Sequence, residues 1–517
     1  MAWNFSLANY ASVWALLVQI GLLLLFLLVG NILRRKIPIL RKCHIPSALI
    51  GGAILLVVKL ITNAITKSAG VSFEFVNDGV MQVITYHSLA IGFAAISLRT
   101  EKAKTRARRT QVFEFGALQG GTYMLQAGLG LAITIVMFLF TKPGQNGISY
   151  MFNVVSTWTS KSEFITNIIN GIKDFLQPLL EGNNVISYIC GIILPLGFGQ
   201  GPGNALTWDI NYSNTPATLF SGNGSFGLSL ASIGFIVASV FGVIYINVQK
   251  KRGLLTPRTR DDNEGMSVSE FQDPDEIPDN ESVDKFTIQL GFVAVAYALA
   301  FGFMCLLSLN SFLNTLAWGF NFLWASLAAI LVKFIVKQLR KKKIMNRGYI
   351  NNYQMDRVSG FFFDLMIVAG VAAIEIDDIK NYIVPIVVLS IVGAFATLIY
   401  IRKVTKNCFR GFENESFLMA FGTLTGTASN GMILMKEIDP DLRTPVSNLY
   451  ILSNFPAILM VAPLLLLLNF AGSSFTNACI ACGIFAVLWI GYTVFLFRRK
   501  IFKKKYKDNP APEWREE

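Results

Sequence analysis

Charge and histidine are both scarce in this chain of 517 residues. Only 15% of the residues are charged and only two are histidine, whereas a soluble globular domain carries about 25% charged residues. So few charges cannot cover a water-facing surface, which excludes an ordinary soluble fold. Histidine scarcity, with no acidic motif repeated inside an apolar run, also argues against an enzyme, which needs a converging nucleophile and base or a metal cluster. No organic cofactor is implied. The six cysteines are scattered. Cys479 and Cys482 form a C-x-x-C inside an apolar segment with no further ligands, so they read as small residues at a helix contact rather than a redox or metal site. A basic leader region is missing too. The first apolar run ends in Arg34, Arg35 and Lys36 without a convincing cleavage site, which predicts a retained span rather than a signal peptide. The net charge of +13 does not imply nucleic acid, because Lys and Arg stand beside apolar runs and no soluble basic domain is present.

What the chain does have is apolar length: 53% of its residues are hydrophobic. About 20 apolar residues cross the roughly 30 Å hydrocarbon core as a helix. Apolar segments fall near 12–33, 45–62, 80–98, 112–140, 185–212 and 223–248, then 287–309, 316–339, 359–376, 381–401, 416–436, 446–470 and 474–497. Between the two sets, Asp261 to Asp284 holds ten acidic residues and no Lys or Arg, a composition that cannot form a core and reads as a solvated linker. The wet stretch 141–184 could hold a short amphipathic helix.

Basic loops orient the chain. Arg34 to Lys42, Arg99 to Arg109, Lys250 to Arg260, Lys333 to Arg347, Arg402 to Arg410 and Arg498 to Lys507 should all be cytoplasmic. With the N-terminus outside, that holds only if 185–212 dips in and returns on the outer side, and 416–436 does the same from the inside. Each half then has five crossings and one re-entrant or broken segment, and the odd number inverts the second half. The expectation is an all-α integral membrane protein with two inverted repeats. Residues 1–248 form the first repeat, 249–285 the acidic linker and 286–470 the second repeat. Residues 471–497 add a further transmembrane helix, and 498–517 a basic tail in the cytoplasm. Inverted repeats with a broken helix in each are the plan of secondary transporters.

The two dipping segments carry the candidate chemistry. In the first, Gly199, Gly201 and Gly203 surround Pro202, which no continuous helix tolerates well. Asn204 and Thr207 add donors and acceptors there. In the second, Gly422, Gly426 and Gly431 free the backbone, and Thr423, Thr425, Thr427, Ser429 and Asn430 supply polar groups. Half-helix N-termini suit an anion, and freed carbonyls with hydroxyl oxygens suit a hard cation such as sodium. The expected substrate contacts are Gly199, Gly201, Gly203, Asn204, Thr207, Thr423, Thr425 and Asn454; the expected cation contacts are Gly426, Thr427, Ser429, Asn430 and Asp364. Asp364 is a carboxylate within an apolar run, which membranes admit only at a cost of roughly 2.5–3.5 kcal/mol. A residue near the cytoplasmic end that reaches water is its bland reading. His87 suggests a helix-to-helix hydrogen bond, and Lys59 and Glu114 should snorkel from span ends. Asn448, Ser453 and Asn454, beside Pro456, could face the same cavity.

At these motifs the chain resembles the bacterial sodium–glutamate symporter family. HIPSALIGGAILL (44–56) resembles the Ile-Pro and Gly-Gly opening of that family's second helix, and the likeness continues at AIGFAAISL (90–98). It recurs at GFGQGPGNALTW (197–208) and FGTLTGTASNGM (421–432). Gly199, Gly201, Gly203 and Trp208 match the first of the family's Gly-rich runs, and Gly422, Thr425 and Asn430 match the second. Gln200 stands where the family has His, Pro202 where it has Thr, and the second run lacks its Pro. The resemblance implies a sodium-coupled carrier for glutamate or a related anion in a bacterial inner membrane, homodimeric and moving as an elevator. A carrier of another organic anion, such as a di- or hydroxycarboxylate, is the near alternative, since no Arg lies inside a span to clamp a second carboxylate. A membrane-embedded enzyme and a non-transporting sensor are the more distant ones.

Overall fold

The computed structural model describes residues 10–70, 75–99, 106–139, 186–253, 284–345, 347–439 and 444–502. The possible helix in 141–184, the acidic middle of the linker and most of the basic tail lie outside the described residues. Among the described residues the chain is essentially all helix. The first half contains α1 (Tyr10–Lys36), α2 (Ser47–Ala69), α3 (Asp78–Leu98) and α4 (Arg106–Leu139), then a broken segment ending in α5 (Pro202–Ser213), and α6 (Ser225–Lys251). The second contains α7 (Lys285–Leu307), α8 (Asn321–Lys341), α9 (Asn352–Ala372) and α10 (Ile383–Cys408). It continues with α11 (Glu413–Thr425), α12 (Ala428–Lys436), α13 (Val446–Gly472) and α14 (Phe475–Ile501).

Local chemistry sets many of these boundaries. Asn77, Asp284, Asn351 and Ser474 each stand one residue before a helix and accept a backbone N–H from its first turn, satisfying donors that the helix itself cannot. Pro38 follows the end of α1, and Gly70 closes α2 in the left-handed conformation at φ 65°. Nine helices among the described residues are long and apolar enough to cross a membrane, and α13, broken at Pro456, makes a tenth. The sequence expectation was eleven crossings. By apolar length alone α9 falls out of the count, because Asp356, Arg357 and Asp364 interrupt its 21 residues. Outward faces are apolar as well: Leu17, Leu25 and Leu28 on α1 and Val487 and Ile490 on α14 are more than half exposed, the surface that lipid rather than water covers.

The helices pack as two groups, each drawing from both halves. One group is α1, α2, α3, α7, α8 and α9, with α3 and α9 crossing at its centre. There the ring of Phe363 occupies the space over Gly92, where a Cβ would stand 2.7 Å from it. The other group is built around α4, which touches α10, α13, α14 and the start of the first broken segment. The groups meet where α5 lies on α3 and α9, through Gly203 against Leu89 and Gly370 against Pro202.

Two charged residues differ from expectation. Lys59 and Glu114 do not reach out to the interface; both are essentially fully buried. Lys59 Nζ lies 2.5 Å from Asp78 Oδ1 and 2.8 Å from Glu375 Oε1. Glu114 Oε1 lies 2.7 Å from Arg498 and 3.2 Å from Arg499. Burial is tolerable because each has opposite charges at contact distance. A lone apolar-run charge in a sequence does not show its partner, which here lies about 300 or more residues away in the chain for Glu375 and the arginines.

Candidate functional site

The first broken segment begins and ends at one place. Ser187 Oγ donates to the Thr218 carbonyl (2.5 Å) and Tyr188 Oη to the Ala217 carbonyl (2.9 Å). Between these points the chain makes a 3₁₀ turn at Cys190–Ile193 and a π turn at Leu196–Gln200, then breaks at Gly201 (φ 86°, ψ −179°) before α5. The break is local chemistry. Gly201 adopts a φ that other residues avoid, and Pro202, with no N–H, is suited only to the first position of a new helix.

The second segment breaks at Gly426 and Thr427, the latter extended at φ −138°, ψ 168°. Here α12 doubles back along α11. A Cβ at Gly422 would stand 2.6 Å from Gly431 Cα, and one at Gly431 would stand 2.5 Å from Thr423 Oγ1. Small residues permit that approach, and larger ones would prise the arms apart.

The two breaks meet. A Cβ on Gly201 would lie 3.8 Å from Thr427 Cγ2 and 3.5 Å from Met366 Cε on α9. Helix α4 holds both segments: Tyr123 Oη donates to the Gly199 carbonyl (2.7 Å), and Gln126 Nε2 to the Leu424 carbonyl (3.0 Å) and Thr397 Oγ1 (2.9 Å). From α6, Gly234 lies against the Thr425 carbonyl and Phe198.

Most of the sequence-derived residues gather there. Gly199 lies under the Tyr123 ring, and Asn204 is buried with Nδ2 on Gln200 Oε1 (2.8 Å). Asn430 is buried and curls over Gly426, where a Cβ would stand 2.5 Å from its Nδ2. Buried polar atoms around the breaks without a hydrogen-bond partner include Asn204 Oδ1, Thr423 Oγ1, Thr427 Oγ1 and Asn430 Nδ2, with Gln126 Oε1 beside them on α4. Each such atom costs about 1–3 kcal/mol unless water or a bound group meets it. The group is electrically neutral. Among the described residues, no set of three or more His, Cys, Asp or Glu side chains is placed to hold a metal ion. A cation here would be held by hydroxyl, amide and carbonyl oxygens.

Other expected residues do different work. Gly203 packs on Leu89, while Thr207 and Thr425 bond their own helix at the Gly203 carbonyl (2.8 Å) and the Phe421 carbonyl (2.6 Å). Ser429, Asp364 and Asn454 are half-buried, and Asn448 is exposed. On α9 it is Met366 that faces the breaks, and Asp364 projects from another face. On α13, Ser453 rather than Asn454 is tied to α4, accepting from Gln119 Nε2 (2.9 Å). His87 makes the expected helix-to-helix bond, to Tyr297 Oη of α7 at 2.6 Å. Cys482 packs on α4 through the Gly128 carbonyl.

Sequence reasoning missed the α4 stripe and Asp209. Gln119, Tyr123 and Gln126 recur at helical spacing inside an apolar run, a one-face polar pattern that could have been read. Asp209, fully buried on α5, accepts from the Gly224 N–H (2.9 Å) and the Gly227 N–H (2.7 Å), closing the first turn of α6. Asp209→Ala is expected to destabilise the folded protein by about 2–3 kcal/mol, because two charge-assisted bonds are lost and their donors are left buried. Thermal unfolding of the purified protein in detergent checks this, and Asp209→Asn should retain part of the loss.

At the base of the second segment, His44 Nε2 lies 3.4 Å from Glu437 Oε1. Burial pushes the His44 imidazole below its usual range, with the Glu437 carboxylate pulling the other way. No protein-family model, no curated protein and no solved structure matches this chain.

Proposed function

We propose that this chain is a secondary active transporter, a sodium-coupled carrier of glutamate or a similar organic anion working by elevator-type alternating access. The observation that carries the reading is the meeting of two broken helices whose breaks hold partnerless buried polar atoms. Helices α5 and α12 both begin at the junction, so the positive ends of two helix dipoles converge on one point, as an anionic substrate requires. The hydroxyls and carbonyls beside them suit a hard monovalent cation. Binding both at one junction is what couples their movement.

Packing supports the inverted repeat. Exchange α1 with α7, α2 with α8, α3 with α9, α4 with α10 and α6 with α13. Contact α1·α2 then becomes α7·α8, α2·α9 becomes α8·α3, α1·α9 becomes α7·α3, and α4·α13 becomes α10·α6; all eight contacts occur. The bases of the broken segments lie at opposite ends of α10: Ser221 by Tyr382 at one end, and Asn414 bonded to Arg402 (3.2 Å) at the other. Each segment therefore reads as a re-entrant hairpin entering from its own side. The basic ends of α6, α10 and α14 gather on the second side, which the positive-inside bias makes cytoplasmic. The two packing groups supply a scaffold of α1–α3 with α7–α9 and a mobile body carrying both hairpins.

Proteoliposomes given radiolabelled L-glutamate, with an inward sodium gradient or with choline in its place, test the reading. Sodium-dependent uptake, lost in Asn430→Ala and weakened in Thr427→Ala, is the expected result. Intact, correctly inserted protein without uptake would overturn glutamate as substrate. Failure with other organic anions as well would overturn the carrier.

A further inference from the structure

Away from the hairpins, a cavity of about 690 Å³ opens between the C-terminal ends of α10 and α14. Lys403 and Lys406 of α10, with Arg410 just past its end, line it on one side, and Arg499 and Lys500 of α14 on the other, with Phe497 as an apolar wall. Arg410 and Arg499 have interaction partners of their own within the protein, whereas Lys403, Lys406 and Lys500 around one space repel each other unless something negative joins them. The two helix C-termini supply about one negative charge between them. Glu114 supplies a second but shares it between Arg499 and Arg498. Among the described residues, no carboxylate is paired with Lys403, Lys406 or Lys500. The lysines are exposed to water, yet they converge from two helices distant in sequence on one open cavity the size of a ligand site.

The surroundings identify the ligand's other end. On the membrane side of these cations, both helices present exposed apolar residues: Phe395 and Ile399 on α10, Val494 on α14. Acyl chains lying on that surface would place a headgroup among the cations. We infer that the cavity is a binding site for the phosphate headgroup of an anionic phospholipid, docked where α14 joins α10. Oxyanion contacts to clustered Lys and Arg supply the affinity.

Purified full-length protein, titrated with vesicles of phosphatidylcholine alone or with phosphatidylglycerol mixed in, tests this by thermal shift and by lipid retention in native mass spectrometry. The anionic lipid should raise the unfolding temperature and be retained. The triple variant Lys403→Gln, Lys406→Gln, Lys500→Gln should bind it on the order of a hundredfold more weakly, at about 1 kcal/mol for each basic residue. The pair Lys341→Gln, Lys342→Gln, on a basic helix end outside the cavity, should leave binding unchanged. Equal binding by the triple variant and the parent would overturn the site. Equal stabilisation by inorganic pyrophosphate in detergent, abolished by the triple variant, would overturn a lipid as the occupant in favour of a soluble phosphate.

Discussion

Lys59→Met is expected to lower the stability of the folded protein by about 3 kcal/mol, the low end for breaking a buried ion pair. The ammonium is fully buried and also lies 3.4 Å from the Ala372 carbonyl and 3.3 Å from the Ile374 carbonyl, so it closes the C-terminal end of α9. Its removal leaves Asp78 and Glu375 side by side with no cation and leaves those carbonyls without their donor. The two carboxylates keep 30% and 38% of their side-chain surface in water, which holds the cost at that low end. One residue thereby ties α2 and α3 of the first half to the end of α9 in the second. Thermal unfolding in detergent measures the loss. The triple variant Lys59→Met, Asp78→Asn, Glu375→Gln should recover much of it, since what destabilises is the uncompensated charge. A loss no larger than that of the exposed Lys67→Met would sink the argument.

For the carrier proposed above, Gly191→Ala is expected to reduce uptake about tenfold, equivalent to 1.4 kcal/mol, and to destabilise the fold by about 1–3 kcal/mol through overpacking. Gly191 and Gly130 touch backbone to backbone, and a Cβ on Gly191 would overlap the Gly130 carbonyl and stand 2.6 Å from Thr134 Oγ1. No side chain can turn aside to make room, so α4 must move. That motion breaks the bonds of Thr134 Oγ1 to the Tyr188 carbonyl (2.7 Å) and from the Gly191 N–H (3.2 Å). It also shifts Tyr123 and Gln126, which position both breaks. Gly483→Ala and Gly491→Ala meet nothing within 4 Å and should behave like the parent in the same uptake and unfolding assays. Parity of Gly191→Ala with these two would show that α4 does not set the geometry of the junction.

Particular residues show where sequence reading stops. Pro202 and the surrounding glycines announced a break that the structure places at Gly201, because ring closure and φ preference are properties of a few adjacent residues. Asn204, Thr427 and Asn430 stood out as polar atoms in apolar runs, and the fold brings all three to one junction. Asp364 stood out equally and lies off it. Its charge was visible in the sequence; the rotation of α9 that turns Met366 inward instead was not, since that rotation is set by packing against α3 and α5. Lys59 and Glu114 illustrate the same limit, for a charge announces its need of a partner but not the partner's identity.

The sequence by itself determined that this chain is helical and membrane-embedded, where its helices break, and which helix ends are basic. Apolar length, proline, glycine and charge act over one or two helical turns, so their consequences are written locally. Only the tertiary structure decided which breaks face each other, that α4 holds both, and that two basic helix ends line one open cavity. Those outcomes depend on contacts between residues far apart in the chain, 298 positions for Gln126 and Leu424, through the fit of whole helix surfaces that no single segment encodes.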